Sequence, residues 1–264
     1  MKQIDPLISI ITVVFNGEKH LEQTIQSVFN QTYKNIEYII IDGASTDKTL
    51  DIIKKYENKI AHWQSEADNG IYDAMNKGIR IAKGEFVGLI NSDDYYEPNA
   101  VETIVQKLNK EPETDVFFGN MYILNENLPK KQLQTYKKGK KLEKAFSIWH
   151  PTVFVRKQVY NEYGLFDLSY KIAADYELLL RFYKENCKFF YIDEVISNFR
   201  EGGISYYNKN INKERFRLQV RHTSFFNAYF NRVKYKTTEL LQNVFRSILG
   251  EKKYHKLRYK YLYK

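Results

Sequence analysis

The chain has 264 residues and 31.5 kDa, 43% hydrophobic and 16% aromatic, which excludes global disorder and is enough for one full α/β domain with an appendage or two small domains. A single cysteine, Cys187, excludes a disulfide framework and a zinc cluster and fits a reducing, intracellular setting. The net charge of +9 is uneven: residues 205–264 carry 15 Lys/Arg against three acids, whereas residues 1–204 carry 26 against 29.

That contrast predicts an enzyme-like globule over residues 1–204, followed by a basic, aromatic-rich helical extension over 205–264 suited to an anionic partner. Met1 to Pro6 lacks the charged-then-apolar pattern of a leader, and no run approaches the roughly 18 apolar residues of a spanning helix. A soluble or peripheral protein is expected.

Leu7 to Phe15 (LISIITVVF) is a β-branched run of the kind buried on both faces of a parallel sheet, and Asn16-Gly17 ends it. Leu21, Ile25, Val28 and Phe29 then recur at helical spacing. Ile36 to Asp42 predicts a second strand, followed by a helix with Leu50, Ile53 and Tyr56 on its sheet face. Ile60 to Glu66 reads as a third strand, Ile71 to Lys83 as a helix and Glu85 to Asn91 as a fourth strand. Alternation of this kind implies right-handed crossovers and a doubly wound parallel sheet, with ligands beyond the carboxyl ends of its strands. The residues that end the strands, Asn16, Asp42, Glu66 and Asn91 to Asp94, should therefore converge on one crevice. Later in the chain, Thr152 to Val155 predicts a strand and Asp175 the start of a helix.

Asp93 and Asp94 end an apolar strand (GLIN). Adjacent carboxylates there need a counter-charge, and a divalent cation bridging a diphosphate supplies one; the alternative is a helix cap or turn before Pro98. Neither a GxGxxG after the first strand nor a GxxxxGK[ST] is present, so a nucleotide has to be held by carboxylates, a metal and side chains.

Five segments in order, ISIITVVFN, YIIIDGASTDKT, DNGIYDAMNKGIRIAKGEFVGLINSDDYY, WHPTVFVRK and GLFDLSYKIAADYELLLR, resemble glycosyltransferase family 2 over about residues 7–203. These are inverting, metal-dependent GT-A enzymes, and the closest resemblance is to bacterial members that build cell-surface polysaccharides. The resemblance implies a Rossmann-like, mostly parallel GT-A sheet flanked by helices, with a nucleotide-sugar half over about 1–97 and an acceptor half over about 98–204. It places Thr12, Val13, Phe15 and Asn16 along the nucleotide and makes Asp42 the acceptor for a base N–H or a ribose hydroxyl. The family more often has Asp-Asp-Gly-Ser where this chain has Asp42-Gly43-Ala44-Ser45, so the second carboxylate is missing.

By the same resemblance, Asn91-Ser92-Asp93 stands for the Asp-X-Asp metal motif. Asp93 is then the ligand of Mn²⁺ or Mg²⁺, Asn91 and Ser92 border the nucleotide, and Asp94 is a further ligand or a support. Met75 replaces an Arg that many relatives place near the nucleotide, while Asp73 and Asn76 share one helical face toward the ligand. Asp175 takes the position of the general base, with Ala174 replacing the common first acid and Glu177 set to pair with Arg181. His150 is a contact to the diphosphate or acceptor, with Trp149 stacked on a sugar or anchoring the loop.

In the extension, Leu240, Leu241, Val244, Phe245, Ile248 and Leu249 fall at helical spacing, and Lys/Arg alternate with Tyr254, Tyr259, Tyr261 and Tyr263. The pattern suits either an anionic bilayer surface, on the inner face of the cell membrane, or a helix packed on the catalytic domain. The expected activity is inverting transfer from a UDP-hexose to a lipid-linked or glycan acceptor in the cytoplasm. Two other readings stay open: a relative that binds nucleotide sugars without transferring them, and a basic nucleic-acid-binding module, which the acidic motifs disfavour.

Overall fold

The computed structural model describes residues 5–125, 131–136, 148–202 and 211–222, with isolated positions between 229 and 250. The strands are β1 (Ile8–Val14), β2 (Ile36–Asp42), β3 (His62–Ser65), β4 (Phe86–Asn91), β5 (Tyr95–Tyr96), β6 (Val116–Leu124), β7 (Gln132–Gln134), β8 (Phe154–Arg156) and β9 (Phe189–Arg200). The helices are α1 (Leu21–Phe29), α2 (Thr49–Tyr56), α3 (Ile71–Ile81), α4 (Ala100–Leu108), α5 (Lys157–Tyr163), α6 (Ala174–Lys184) and α7 (Ile211–His222).

The nine strands among the described residues join one sheet in the order β3-β2-β1-β4-β8-β6-β9-β5, with β7 on β6. β3, β2, β1 and β4 are parallel, as the alternating elements predict. The second half departs from that pattern: β8 runs antiparallel to both β4 and β6, and β5 antiparallel to β9, while β6 and β9 are parallel. Every residue of β1 is buried, because α1 and α2 cover one face and α3 the other. Gly78 sets the α3 contact, since a Cβ there would begin 2.5 Å from Ile11 Cγ2.

The strand expected over Thr152 to Val155 starts later. His150–Thr152 form a single 3-10 turn, closed by Thr152 and Val153 amides on the Trp149 and His150 carbonyls. Pro151 lacks an N–H and suits the first turn of such a helix. α7, counted with the extension by charge, is packed on the globule: Leu218 is fully buried in the same core cluster as Tyr170 and Tyr176.

The chain reverses its lateral direction between β1 and β4, and ligand crevices of open α/β sheets form beyond the strand ends at such a point. The register aligns those ends, pairing Val14 with Asp42, Val13 with Asn91 and Asp42 with Ser65.

Candidate active site

At the end of β1, Phe15 is 65% exposed, and Asn16 adopts φ 52°, a left-handed conformation that asparagine tolerates. Its side chain accepts the Thr46 amide at 2.8 Å, and its own amide donates to Ser45 Oγ at 2.7 Å. Gly17 donates to Thr49 Oγ1, and Asp47 accepts the Glu18 and Thr49 amides. The β1 and β2 loops are thus tied into one ledge. Thr12 and Val13 are not part of it. Thr12 is buried against the Tyr38 hydroxyl and Val13 lies in the core, because inside a doubly covered strand both side-chain directions point into protein.

Asp42 is also fully buried, contrary to the expectation of a ligand-facing group. Its oxygens accept Ser45 Oγ at 2.5 Å, the Ser45 amide at 3.0 Å and Ser65 Oγ at 2.6 Å. A carboxylate has about four lone-pair positions, and three are taken by its own loops. Sequence reasoning missed the acidic group beside it. A side chain at Gly43 would begin 2.6 Å from Asp68 Oδ2, so the Asp68 carboxylate lies against the face of Gly43 where the second acid of the family pattern would project. Asp68 is half-buried, and its other oxygen accepts the Gly70 amide at 2.7 Å. The signal available beforehand was a glycine in place of an acid and an unassigned acid after β3.

At the end of β4, Ser92 approaches Gly17, where a Cβ would begin 3.2 Å from Ser92 Oγ. Asp93 is half-buried; burial holds its carboxyl above the usual range, opposed by the charges of His20 and Arg200. Asp94 is fully buried and turned away, accepting the Arg200 amide at 2.9 Å and Asn91 Nδ2 at 3.4 Å. It is a support for the turn, and burial together with the Asp93 charge pushes its carboxyl well above the usual range. Arg200, which the sequence did not single out, ties β9 to this turn through Asp93 O and Gln23 Oε1, both at 2.5 Å. The buried Asn91 Oδ1 has no hydrogen-bond partner among the described residues.

Asp93 offers the hard carboxylate oxygens that Mg²⁺ or Mn²⁺ takes. Among the described residues no three His, Cys, Asp or Glu side chains could hold an ion by themselves, so a diphosphate and water would complete the shell. The donor set fits such an ion.

α3 connects the two halves. Asn76, expected to face the ligand, is buried and bridges to Phe166: its Nδ2 donates to the Phe166 carbonyl and its Oδ1 accepts the Phe166 amide, both at 2.9 Å. An amide side chain pairs with both backbone groups at once, which consumes it structurally. Asp73 caps the turn before α3 through the Asn69 amide at 3.0 Å. Met75 is core.

Tyr72 stacks on Phe166 at 5.2 Å between ring centroids, and its hydroxyl donates to the Ile172 carbonyl at 2.7 Å beside Asp175. His150 meets the edge of Phe166 at 6.1 Å, and its buried Nε2 has no partner among the described residues. Burial pushes the imidazole down to about 4, so it is neutral at pH 7. Trp149 is half-buried beside it. Asp175 opens α6, half-buried; burial raises its carboxyl to about 6, opposed by the Tyr176 amide, the Arg215 charge and the Tyr72 hydroxyl. Glu177 pairs with Arg181 at 2.8 Å, as its spacing predicts, and Arg181 also donates to the Tyr163 and Leu165 carbonyls before Phe166.

The sequence profile described as Glycosyl transferase family 2 matches residues 9–173. A glycosyltransferase of Rickettsia typhi with no assigned activity is 35% identical over 202 residues, 72% of this chain and 63% of that protein. A PGL/p-HBAD biosynthesis glycosyltransferase of Mycobacterium tuberculosis is 28% identical, covering 79% of this chain and 82% of its own length. Among solved structures, S. aureus TarS with UDP-GlcNAc superposes with TM-score 0.67 at 20% identity, over 85% of this chain and 72% of that one. The Pyrobaculum calidifontis mannosyltransferase PcManGT with GDP-Man and Mn²⁺ gives 0.60 at 14% identity, over 88% of this chain and 65% of that one. This chain therefore has the GT-A fold and belongs to glycosyl transferase family 2.

Proposed function

We propose that the enzyme is an inverting hexosyltransferase that moves a sugar from a UDP-hexose to a lipid-linked or glycan acceptor in cell-surface polysaccharide synthesis. The observation that carries this reading is that acids and amides end adjacent parallel strands, with Asp68 against Gly43 after β2 and Asn91 and Asp93 after β4 beside β1, while Tyr72 of α3 bonds the Ile172 carbonyl in the loop before Asp175. The UDP complexes of TarS and the GDP-Man and Mn²⁺ complex of PcManGT support a nucleotide-sugar donor.

In this mechanism Asp68, filling the space left by Gly43, accepts a base N–H or ribose hydroxyl, while Asp42 fixes the floor beneath it. Phe15 and the Asn16 ledge border the base, and Asn91 Oδ1 accepts a sugar hydroxyl beside Ser92. Asp93 would hold Mn²⁺ or Mg²⁺, whose charge offsets that of the departing diphosphate. His150, neutral, hydrogen-bonds the diphosphate or acceptor without adding charge, and Trp149 offers a face to the sugar. Asp175 removes the proton of the acceptor hydroxyl as its oxygen attacks the anomeric carbon from the side opposite the diphosphate. A carboxyl near 6 is ionised at neutral pH and remains basic enough to take that proton. One displacement inverts the anomeric configuration.

A melting screen of UDP- and GDP-sugars with Mn²⁺, followed by assignment of the product anomer, tests the reading. Absence of any metal-dependent melting shift, or a product of retained configuration, would refute it.

The extension is assigned to an anionic membrane surface on the cytoplasmic face. What supports this is the exposure of Leu240, Leu241, Val244, Phe245 and Ile248. No helix among the described residues is long and apolar enough to cross a membrane. The basic stretch 251–264 lies outside the described residues. Equal sedimentation with anionic vesicles of the full chain and of a chain ending at residue 222 would remove this assignment.

A further inference from the structure

The first turn of α6, which carries Asp175, has no side-chain cap of its own: Ala173 stands at the N-cap position. The donors that precede the helix are taken from elsewhere. Glu214, on α7, accepts the Lys171 amide at 2.9 Å with one oxygen, and the Ile172 and Ala173 amides at 2.9 and 3.0 Å with the other. Three consecutive backbone N–H groups converge on a single carboxylate forty or more residues away. The next residue of α7, Arg215, lowers the Asp175 carboxyl by its charge.

α7 is held in place independently. Leu218 is buried in the core, the Arg217 guanidinium lies 4.5 Å from the Tyr170 ring centroid and donates to Ser169 Oγ at 3.0 Å, and Arg221 reaches Asp167 at 3.9 Å. The loop 167–173 is therefore gripped along its length by one helix. Tyr72, from the donor side, holds the same loop through the Ile172 carbonyl. Ile172 thus has its N–H fixed by Glu214 and its C=O fixed by Tyr72.

We propose that Glu214 is a positioning residue for the general base, so that α7, counted with the basic extension in the sequence, is part of the catalytic apparatus. The proposal rests on Asp175 as base. A charged acceptor bonded to backbone N–H groups is among the stronger protein hydrogen bonds, and a base displaced by about 1 Å loses on the order of 10²-fold in rate. The groups that face Asp175 in this arrangement are Tyr72 from α3, Arg215 from α7 and the Tyr176 amide of its own helix.

The test is a double-mutant cycle in the full chain, with Mn²⁺ and each of UDP-glucose, UDP-galactose and UDP-GlcNAc, read as UDP release by hydrolysis, in which water is the acceptor whose proton Asp175 takes and the free sugar is the second product, and as the melting shift each donor induces. Glu214→Ala is expected to lower kcat by about 10- to 100-fold while the donor KM and melting shift stay within about twofold. Glu214→Gln, whose carbonyl oxygen can still take the Ile172 and Ala173 amides, should recover most of the rate. In an Asp175→Asn background, Glu214→Ala should change the residual rate by less than about twofold, because the group it positions is already gone. Amide hydrogen exchange at residues 171–173 should rise in Glu214→Ala and stay near wild type in Glu214→Gln.

Additive losses in the cycle, a wild-type kcat in Glu214→Ala, or Gln as impaired as Ala would overturn the proposal. If Glu214→Ala does not fold, Glu214→Gln decides with Asp175→Asn: unchanged exchange at 171–173 with a lost rate refutes positioning. Retained turnover in Asp175→Asn would instead refute the base itself, a different result from wild-type turnover in Glu214→Ala alone.

Discussion

Replacing Asp175 by Asn should make the enzyme much slower and more stable at once, and the size of the gain follows from the site. Burial raises the carboxyl from 3.8 to about 6 in the folded protein. At about 1.4 kcal/mol per pH unit, ionising it in place costs about 3 kcal/mol relative to the unfolded chain; the half-buried position and relaxation reduce this to about 1–3 kcal/mol. The sign is set by the direction of the shift. Below pH 3.8 the acid is protonated in both states, so wild type and the Asp175→Asn variant should be equally stable. Between 3.8 and about 6 the wild type loses stability relative to that variant, and above 6 the difference is constant. The new amide oxygen still accepts the Tyr176 amide that Asp175 Oδ1 accepts at 2.8 Å, so the helix start is preserved. Urea unfolding of both proteins from about pH 4 to pH 8 measures the gap, and transfer rates near pH 7.5 should fall by about 10²- to 10⁴-fold with donor affinity retained. In the wild type kcat/KM should rise with pH through about 6. A gap independent of pH, or a variant less stable than wild type at the alkaline end, would show that Asp175 is a helix cap and not a strained base.

Asp93→Ala should abolish Mn²⁺-dependent UDP binding, measured by calorimetry; affinity within threefold of wild type would remove it from the metal site. Gly43→Asp alone should clash with and repel Asp68 and weaken UDP binding, whereas Gly43→Asp with Asp68→Ala should bind within a few-fold of wild type; an affinity as poor as that of the single variant would end the exchange argument. Asn76→Ala leaves the Phe166 N–H and C=O buried without partners, so it should cost about 2–5 kcal/mol in urea unfolding; a loss under about 1 kcal/mol would mean the clamp is replaceable.

The strands β1, β2 and β4 were legible because β-branched runs without alternation have one reading in an α/β chain. The same absence of alternation hid which residues reach the crevice: nothing in LISIITVVF distinguishes buried Thr12 and Val13 from exposed Phe15. The Glu177–Arg181 pair was readable because both partners lie on one helix. Asn76 and Phe166, Gly43 and Asp68, and Glu214 and Ala173 were not, since each pair meets only through tertiary packing. Asp42 looked like a ligand group because a carboxylate ending a strand is indistinguishable in sequence from one closing its own loop. Charge counting assigned Glu214 to a basic appendage when it is bonded into the globule.

β4 lies between β1 and β8, and Tyr95–Tyr96 pair with Ser197 and Asn198 a hundred residues on. A fragment ending near residue 97 would present the whole free edge of β4 as a template for another chain, a route to aggregation. The strands before and after residue 97 therefore form one folding unit whose central strand β4 waits for β8, Phe154–Arg156. Closure of such distant pairings is slow, because loop entropy is lost before the contacts that repay it exist. On the ribosome β1 to β4 would emerge first with the β4 edge uncovered, and that interval is one in which an unpaired strand edge is exposed to aggregation.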